Sequence, residues 1–293
     1  MKQIDLNLLA KYRTRTFNLP PGRPLASPAD ALEYVNARGF VFFWPIKGID
    51  LPSLWVAVAG ERPVADEHDD PGHVTWSWKD NALDRKVWYY AKILRRKATM
   101  ISQDVAPFFY ALSENYGNPE EDYLIAYDEG RLTLAAKMVY ESLLREGRLN
   151  TIDLRRAARL TSRSSDTEFN RALESLQVDF KILPVGVSDA GAWHYAHIYD
   201  LTTRQYPELP ERARVITEVE ARRKLLGLYI ESVGAFKQHD AERLFGWSNS
   251  IMTRALTGLE SKGQVVRAIR PTSTGDWWAI PTLVNDEVSS AQI

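Results

Sequence analysis

Apolar residues fall at one helical spacing in two stretches of closely similar pattern. In Phe169-Asn-Arg-Ala-Leu-Glu-Ser-Leu176 they are Phe169, Ala172, Leu173 and Leu176. In Met252-Thr-Arg-Ala-Leu-Thr-Gly-Leu259 they are Met252, Ala255, Leu256 and Leu259. Each set makes the buried stripe of an amphipathic helix. Arg171 and Arg254 lie two residues before the central leucine, about 200° round the helix from it, so both point away from the stripe.

The surroundings repeat as well. Two helical segments precede each stretch, Thr133 to Glu146 and Thr151 to Leu160 in the first case, Thr217 to Val233 and Gln238 to Phe245 in the second. After each come a strand, a polar loop and an aromatic strand. These are Lys181 to Val187, Ser188 to Gly191 and Trp193 to Ile198, then Gln264 to Ile269, Arg270 to Gly275 and Trp277 to Ile280. Helix, helix, helix, strand, wing, strand is the order of a winged helix-turn-helix domain, whose third helix reads the groove. Thr133 and Thr151 are candidate caps, and Ser165 to Glu168 and Thr217 to Glu220 have the spacing of capping boxes. The pattern predicts an α+β, mostly helical fold with tandem winged helix-turn-helix domains at 128–206 and 211–293, joined by the linker Gln205 to Pro210. Asn285 to Ile293 read as a frayed tail.

Residues 1–127 predict a divergent, aromatic-rich winged-helix-like domain. A helix runs near Ile4 to Tyr12. A second is started by Ser27, Pro28 and Asp30 and ended by Gly39, before the extended Phe40 to Trp44. A further helix near Leu51 leads to a polar loop, Glu61 to His73. Asp80 to Lys97 predicts a long helix carrying Trp88, Tyr89 and Tyr90 beside Lys92, Arg95 and Arg96, and Gln103 to Tyr116 another. Five of the nine tryptophans lie between Trp44 and Trp88, which places a large aromatic core or an aromatic-lined cleft here.

Composition narrows the chemistry. The 45% hydrophobic and 26% charged fractions are those of an ordinary globular protein. With no cysteine, a disulfide framework and a Cys-ligated metal site are both excluded. The first 20 residues lack the apolar core of a signal peptide and no run approaches about 18 apolar residues, so a cytoplasmic protein without membrane partners is expected. The net charge of -1 requires any phosphate-binding surface to be local.

The two third helices are unequal candidates for such a surface. Arg171 is accompanied outward by Asp166, Glu168 and Glu174, which repel phosphate. Arg254 is accompanied by Asn249, Ser250, Thr253 and Thr257, which suit a groove. Lys92, Arg95 and Arg96 beside aromatics are the pattern that tracks a strand and stacks a displaced base, and equally that of a core face with solvated cations opposite. Glu67, His68, Asp69, Asp70 and His73 are ligand types in a loop whose spacing fixes no metal geometry. His194 and His197, on a predicted strand, face opposite sides. Lys47 is a candidate desolvated amine, with a surface lysine as the plainer reading. No Walker, nucleophile-elbow or dinucleotide fingerprint is present, and neither a cofactor nor a metal is expected.

Tandem winged helices behind an N-terminal winged-helix-like part resemble the AlkZ-like (YcaQ-like) winged-helix DNA glycosylases, which excise alkylated or crosslinked bases. The catalytic signature of that family is a Gln-x-Asp or Gln-x-Gln run, in an early segment reading approximately Gly-Tyr-Val-Gln-Ile-Asp-Pro-Ile-Asn. The matching stretch here is Gly39 to Lys47, in which Phe42 and Trp44 take the two polar places. Neither side chain orients a water or stabilises an oxocarbenium charge. The resemblance therefore implies duplex or damaged DNA as partner, with Phe42, Trp44, Lys47 and Trp78 filling or lining the former pocket and the usual catalysis missing. Two alternatives stand beside it: a glycosylase using another acid, Asp50 or Asp80, and a non-catalytic protein-interaction scaffold or transcription regulator.

Overall fold

The computed structural model describes residues 2–286 apart from His68, Ala192, Trp193 and Thr272, and of Asp276 and Asp286 the backbone alone. The chain forms two compact units, Met1–Thr75 with Arg222–Ile293, and Trp76–Ala221. The first 127 residues are thus shared between units. The fold is mixed α and β.

The first unit opens with a strand, β1 (Lys2–Ile4), before helix α1 (Leu6–Thr16). Asp5 caps the helix by accepting from the Asn7 and Leu8 amides, both at 2.9 Å. α2 (Pro28–Arg38) starts as its sequence dictates, with Ser27 Oγ accepting from Asp30 N at 3.1 Å, and stops at Gly39. β2 (Phe40–Phe42) follows, and its last residue bridges to Ser53. Ser53 then caps α3 (Leu54–Ala59), whose Leu54, Trp55, Val56 and Ala57 are all buried.

α4 (Val74–Asp80) leads into the second unit and ends at Asp80. The long helix expected to Lys97 does not form. β3 (Tyr89–Lys92) and β4 (Ala98–Ile101) make an antiparallel hairpin instead, in register from Tyr89↔Ile101 to Lys92↔Ala98. Tyr89, Tyr90 and Ala91 are buried in succession, so the apolar run belongs to a strand covered on both faces. The expected helix over 103–116 shortens to α5 (Ala106–Tyr110), and α6 (Asp122–Asp128) follows.

Next come α7 (Leu134–Glu146), β5 (Leu149–Asn150), α8 (Thr151–Ala157), α9 (Asp166–Val178), β6 (Ile182–Ser188) and β7 (Ala196–Leu201). The strand order is β5-β7-β6, antiparallel throughout. The α9 stripe, Phe169, Ala172, Leu173 and Leu176, packs with Ala136, Val139, Tyr140 and Leu143 of α7 in one core. Thr133 caps α7 as expected. Asn150, one residue earlier than expected, caps α8, because Thr151 Oγ1 donates to His197 O at 3.0 Å. The Ser165 capping box is not formed, since that hydroxyl donates to Ser162 O at 2.7 Å.

The expected linker is helical only at its two ends. α10 (Thr202–Gln205) ends against it, and α11 (Leu209–Arg214) carries Pro210 in its first turn. α12 (Glu218–Val233) begins with the predicted box, in which Thr217 N donates to Glu220 Oε2 at 2.9 Å and Glu220 N to Thr217 Oγ1 at 3.3 Å. β8 (Ala235–Lys237), α13 (Gln238–Phe245), α14 (Asn249–Glu260), β9 (Val266–Arg270) and β10 (Ser273–Ala279) repeat the element order of the second unit. Met252, Ala255, Leu256 and Leu259 of α14 are buried.

The supposed tail contributes β11 (Val284–Asp286) to a five-stranded sheet of order β11-β1-β9-β10-β8. Residues 287–293 lie outside the described part. β1 is antiparallel to β11 and parallel to β9. Between α12 and β8 sits Gly234, at φ +74°, where a Cβ would lie 2.7 Å from Leu283 and 2.9 Å from Tyr12. Among the described residues, no helix is long and apolar enough to cross a membrane.

Candidate nucleic-acid interface and a buried amine

In the first unit the outward face of α14 is polar and braced from α13. Asn249 Nδ2 donates to Glu242 Oε1 at 2.8 Å, and Gln238 Nε2 to Thr253 Oγ1 at 3.2 Å. Ser248 caps the helix, and Ser250 lies 3.1 Å from the Ser248 hydroxyl. Arg254 is exposed and makes no ion pair among the described residues. Its charge remains available to an anion. The sheet of the same unit adds three cations over buried indoles: Arg270 over Trp277 at 4.8 Å, Lys237 over Trp277 at 5.6 Å and Arg267 over Trp278 at 4.9 Å. Sequence reasoning missed this group, although Lys237↔Trp277 and Arg267↔Trp278 are cross-strand partners.

The expected pocket residues do not all share a unit. Phe42 is wholly buried, and Trp44 is half-buried and stacked on Trp55 at 5.4 Å. Lys47 is exposed, so it is not the desolvated amine its neighbours suggested. Trp78 belongs to the second unit and is buried. Asp50 is exposed and pairs with Arg13 at 3.0 Å. In the neighbouring loop Asp70 takes both Arg62 nitrogens, at 2.9 and 2.5 Å, and that hydrogen-bonded pairing holds its carboxyl below the usual range. His68 lies outside the described residues, and no metal-ligating group of three is found among those described.

In the second unit the C-terminal part of α9 meets the β3–β4 hairpin, while Asp166, Glu168 and Arg171 stay exposed. Lys92 Nζ donates to Glu174 Oε1 at 2.7 Å, and Lys92 N to Gln177 Oε1 at 3.1 Å. Lys92, Arg95 and Arg96 stand on a strand and its turn rather than on a helix. Arg95 and Arg96 both take positive φ, 55° and 57°. Arg171 is exposed on α9. Trp193 is outside the described residues, and His194 sits in a turn before β7, at φ 51°, not on the strand.

A cluster that sequence reasoning touched only through Asp80 lies in the same unit. α4 places Trp76, Lys79 and Asp80 on one face by their i, i+3, i+4 spacing. Lys79 is wholly buried. Its Nζ donates to Asp80 Oδ1 at 2.5 Å and to Tyr195 Oη at 3.0 Å, while Tyr195 Oη donates to Asp80 Oδ1 at 3.0 Å. The rings of Trp76, Tyr90 and Tyr195 stand 5.1, 5.3 and 5.7 Å from the ammonium. Burial lowers the Lys79 pKa from its ordinary value, opposed by Asp80. Beyond Tyr195, His197 and Tyr199 continue the aromatic row at 5.3 and 6.2 Å. Burial first, then Lys79, push the His197 pKa down to about 4, and its Nδ1 has no hydrogen-bond partner among the described residues.

Comparison with known proteins places the chain. The family described as AlkZ related matches residues 25–246. The chain belongs to the AlkZ-related family. Among solved structures it is similar to the Streptomyces sahachiroi DNA glycosylase AlkZ, with a TM-score of 0.59 and 13% identity over 96% of this chain and 71% of that one. That likeness is one of fold. No curated protein matches.

Proposed function

We propose that the protein engages duplex or damaged DNA through two winged helix-turn-helix units and that the α14 face makes the groove contact. The observation that carries this reading is Arg254, exposed and without an ion pair among the described residues, on a face of short polar groups. The equivalent face of α9 sets Asp166, Glu168 and Glu174 around Arg171, and of these Lys92 pairs with Glu174 alone. Lys237, Arg267 and Arg270 supply further cations in the unit that holds Arg254. The usual glycosylase step has no residue to perform it at Phe42 and Trp44, one sealed in the core and the other stacked on Trp55. The test is a fluorescence-anisotropy titration with intact and abasic-analogue duplexes at several salt concentrations. Binding that weakens steeply with salt is expected. Absence of binding to both duplexes at low salt overturns the reading and leaves a scaffold.

The reading of an excising enzyme with a different acid is favoured by one observation, at Asp80 rather than Asp50. Asp80 is mostly buried against Lys79 and Tyr195, whereas Asp50 is a surface partner of Arg13. Release of alkylated bases that disappears in Asp80→Asn is the outcome that establishes it. Release unchanged by that substitution rules Asp80 out.

A further inference from the structure

We infer that Lys79 is a nucleophilic amine for an aldehyde, with Asp80 as its proton acceptor, and that the aldehyde is the ring-opened deoxyribose of an abasic site. The identity of the aldehyde rests on the DNA reading above; the amine and its acceptor do not. Three features assemble the chemistry. Lys79 Nζ is enclosed by the faces of Trp76, Tyr90 and Tyr195, away from bulk water. A carboxylate that can take its proton is 2.5 Å away, and a phenol that can donate one is at 3.0 Å from both. Burial also favours the uncharged amine, the nucleophilic form.

The arrangement argues against a phosphate site, because the Asp80 carboxylate neutralises the ammonium and repels an anion. Carbonyl condensation needs what is present. The amine, having given a proton to Asp80, forms a C–N bond to the aldehyde carbon. The carbinolamine then loses its hydroxyl as water, with that proton returned through Asp80 or Tyr195, and an imine remains. No oxidant or reductant is consumed. Trp76 and Tyr195, 38% and 36% exposed, form the outer wall. Nζ is reached when Tyr195 swings aside.

The experiment is reductive trapping with sodium borohydride on the full chain, using a duplex with a true abasic site, followed by peptide mapping. The expected result is a covalent adduct on Lys79, at least tenfold reduced in Lys79→Arg and unchanged in Lys11→Arg. An adduct mapping to other amines, or equal yield in a folded Lys79→Arg protein, overturns the inference. Binding of the duplex without any adduct also overturns it while leaving the DNA reading intact. Should Lys79→Arg fail to fold, mapping on the unaltered chain decides. If the duplex does not bind at all, the DNA reading fails separately. Glycolaldehyde with cyanoborohydride at neutral pH then tests the amine itself. Labelling of Lys79 ahead of the exposed Lys11 and Lys47 supports it, and labelling of the exposed lysines alone overturns it.

Discussion

Lys92 Nζ sits 2.7 Å from Glu174 Oε1, so a strand of the second unit neutralises one carboxylate near the C-terminal end of α9 and leaves Asp166 and Glu168 exposed beside Arg171. The two helices that share an apolar stripe therefore differ in what they offer outward. Arg254→Ala is expected to weaken duplex binding about tenfold, one lost charge-assisted hydrogen bond. It should also reduce the salt slope by about 1. Arg171→Ala, exposed on α9 among the carboxylates of Asp166, Glu168 and Glu174, should leave both unchanged. Anisotropy titrations of the two variants over a salt series make the comparison.

Gly234→Ala is expected to destabilise the first unit by about 2–4 kcal/mol, combining a left-handed backbone with overpacking. The new Cβ meets Leu283 at 2.7 Å, Tyr12 at 2.9 Å and Leu9 at 3.1 Å, in a region where φ is +74°. Denaturant titration measures the loss. A variant as stable as the parent contradicts the packing described.

The His197 imidazole has a folded pKa of about 4, below the ordinary value of 6.5, because burial and Lys79 disfavour its charge. The unfolded chain therefore binds the proton first as pH falls. Stability is whole above about 6.5 and is lost as the pH drops towards 4, by up to about 3 kcal/mol. His197→Gln should flatten that part of the stability curve, read from denaturation midpoints at several pH values.

Asp200 is fully buried and is held by Arg148 Nε at 3.0 Å and Arg204 Nη1 at 2.6 Å. Both arginines are partly exposed, so water can take them over if the carboxylate is removed. The carboxylate has no such recourse. Replacing both arginines by methionine should cost about 3–5 kcal/mol, more than Asp200→Asn, since the first change strands a buried charge. Equilibrium unfolding of the two proteins ranks the costs.

The helices that bury one stripe were legible in the sequence, because a one-sided period survives any tertiary context. Met252, Ala255, Leu256 and Leu259, and Phe169, Ala172, Leu173 and Leu176, are buried as that period requires. Tyr89, Tyr90 and Ala91 misled because a strand buried on both faces has no alternation to betray it. β1 is three residues long, too short to carry a period, and so its place in the sheet could not be read. Lys79 was invisible for another reason. Its burial depends on Tyr90 and Tyr195, which only the fold brings to α4, whereas the spacing Trp76, Lys79, Asp80 was present in the sequence as the available signal.

The pairing of β1 with β9 and β11 carries a consequence for biosynthesis. β1 is made before the second unit and its partners β9 and β11 after it, while everything needed for the core around α7 and α9 leaves the ribosome in between. The second unit can close during translation, and the sheet of the first only once β9 and β11 have emerged. A ribosome stalled after the second unit has emerged would hold a folded middle and an earlier segment with its sheet incomplete, exposed to chaperones and proteases for as long as elongation takes.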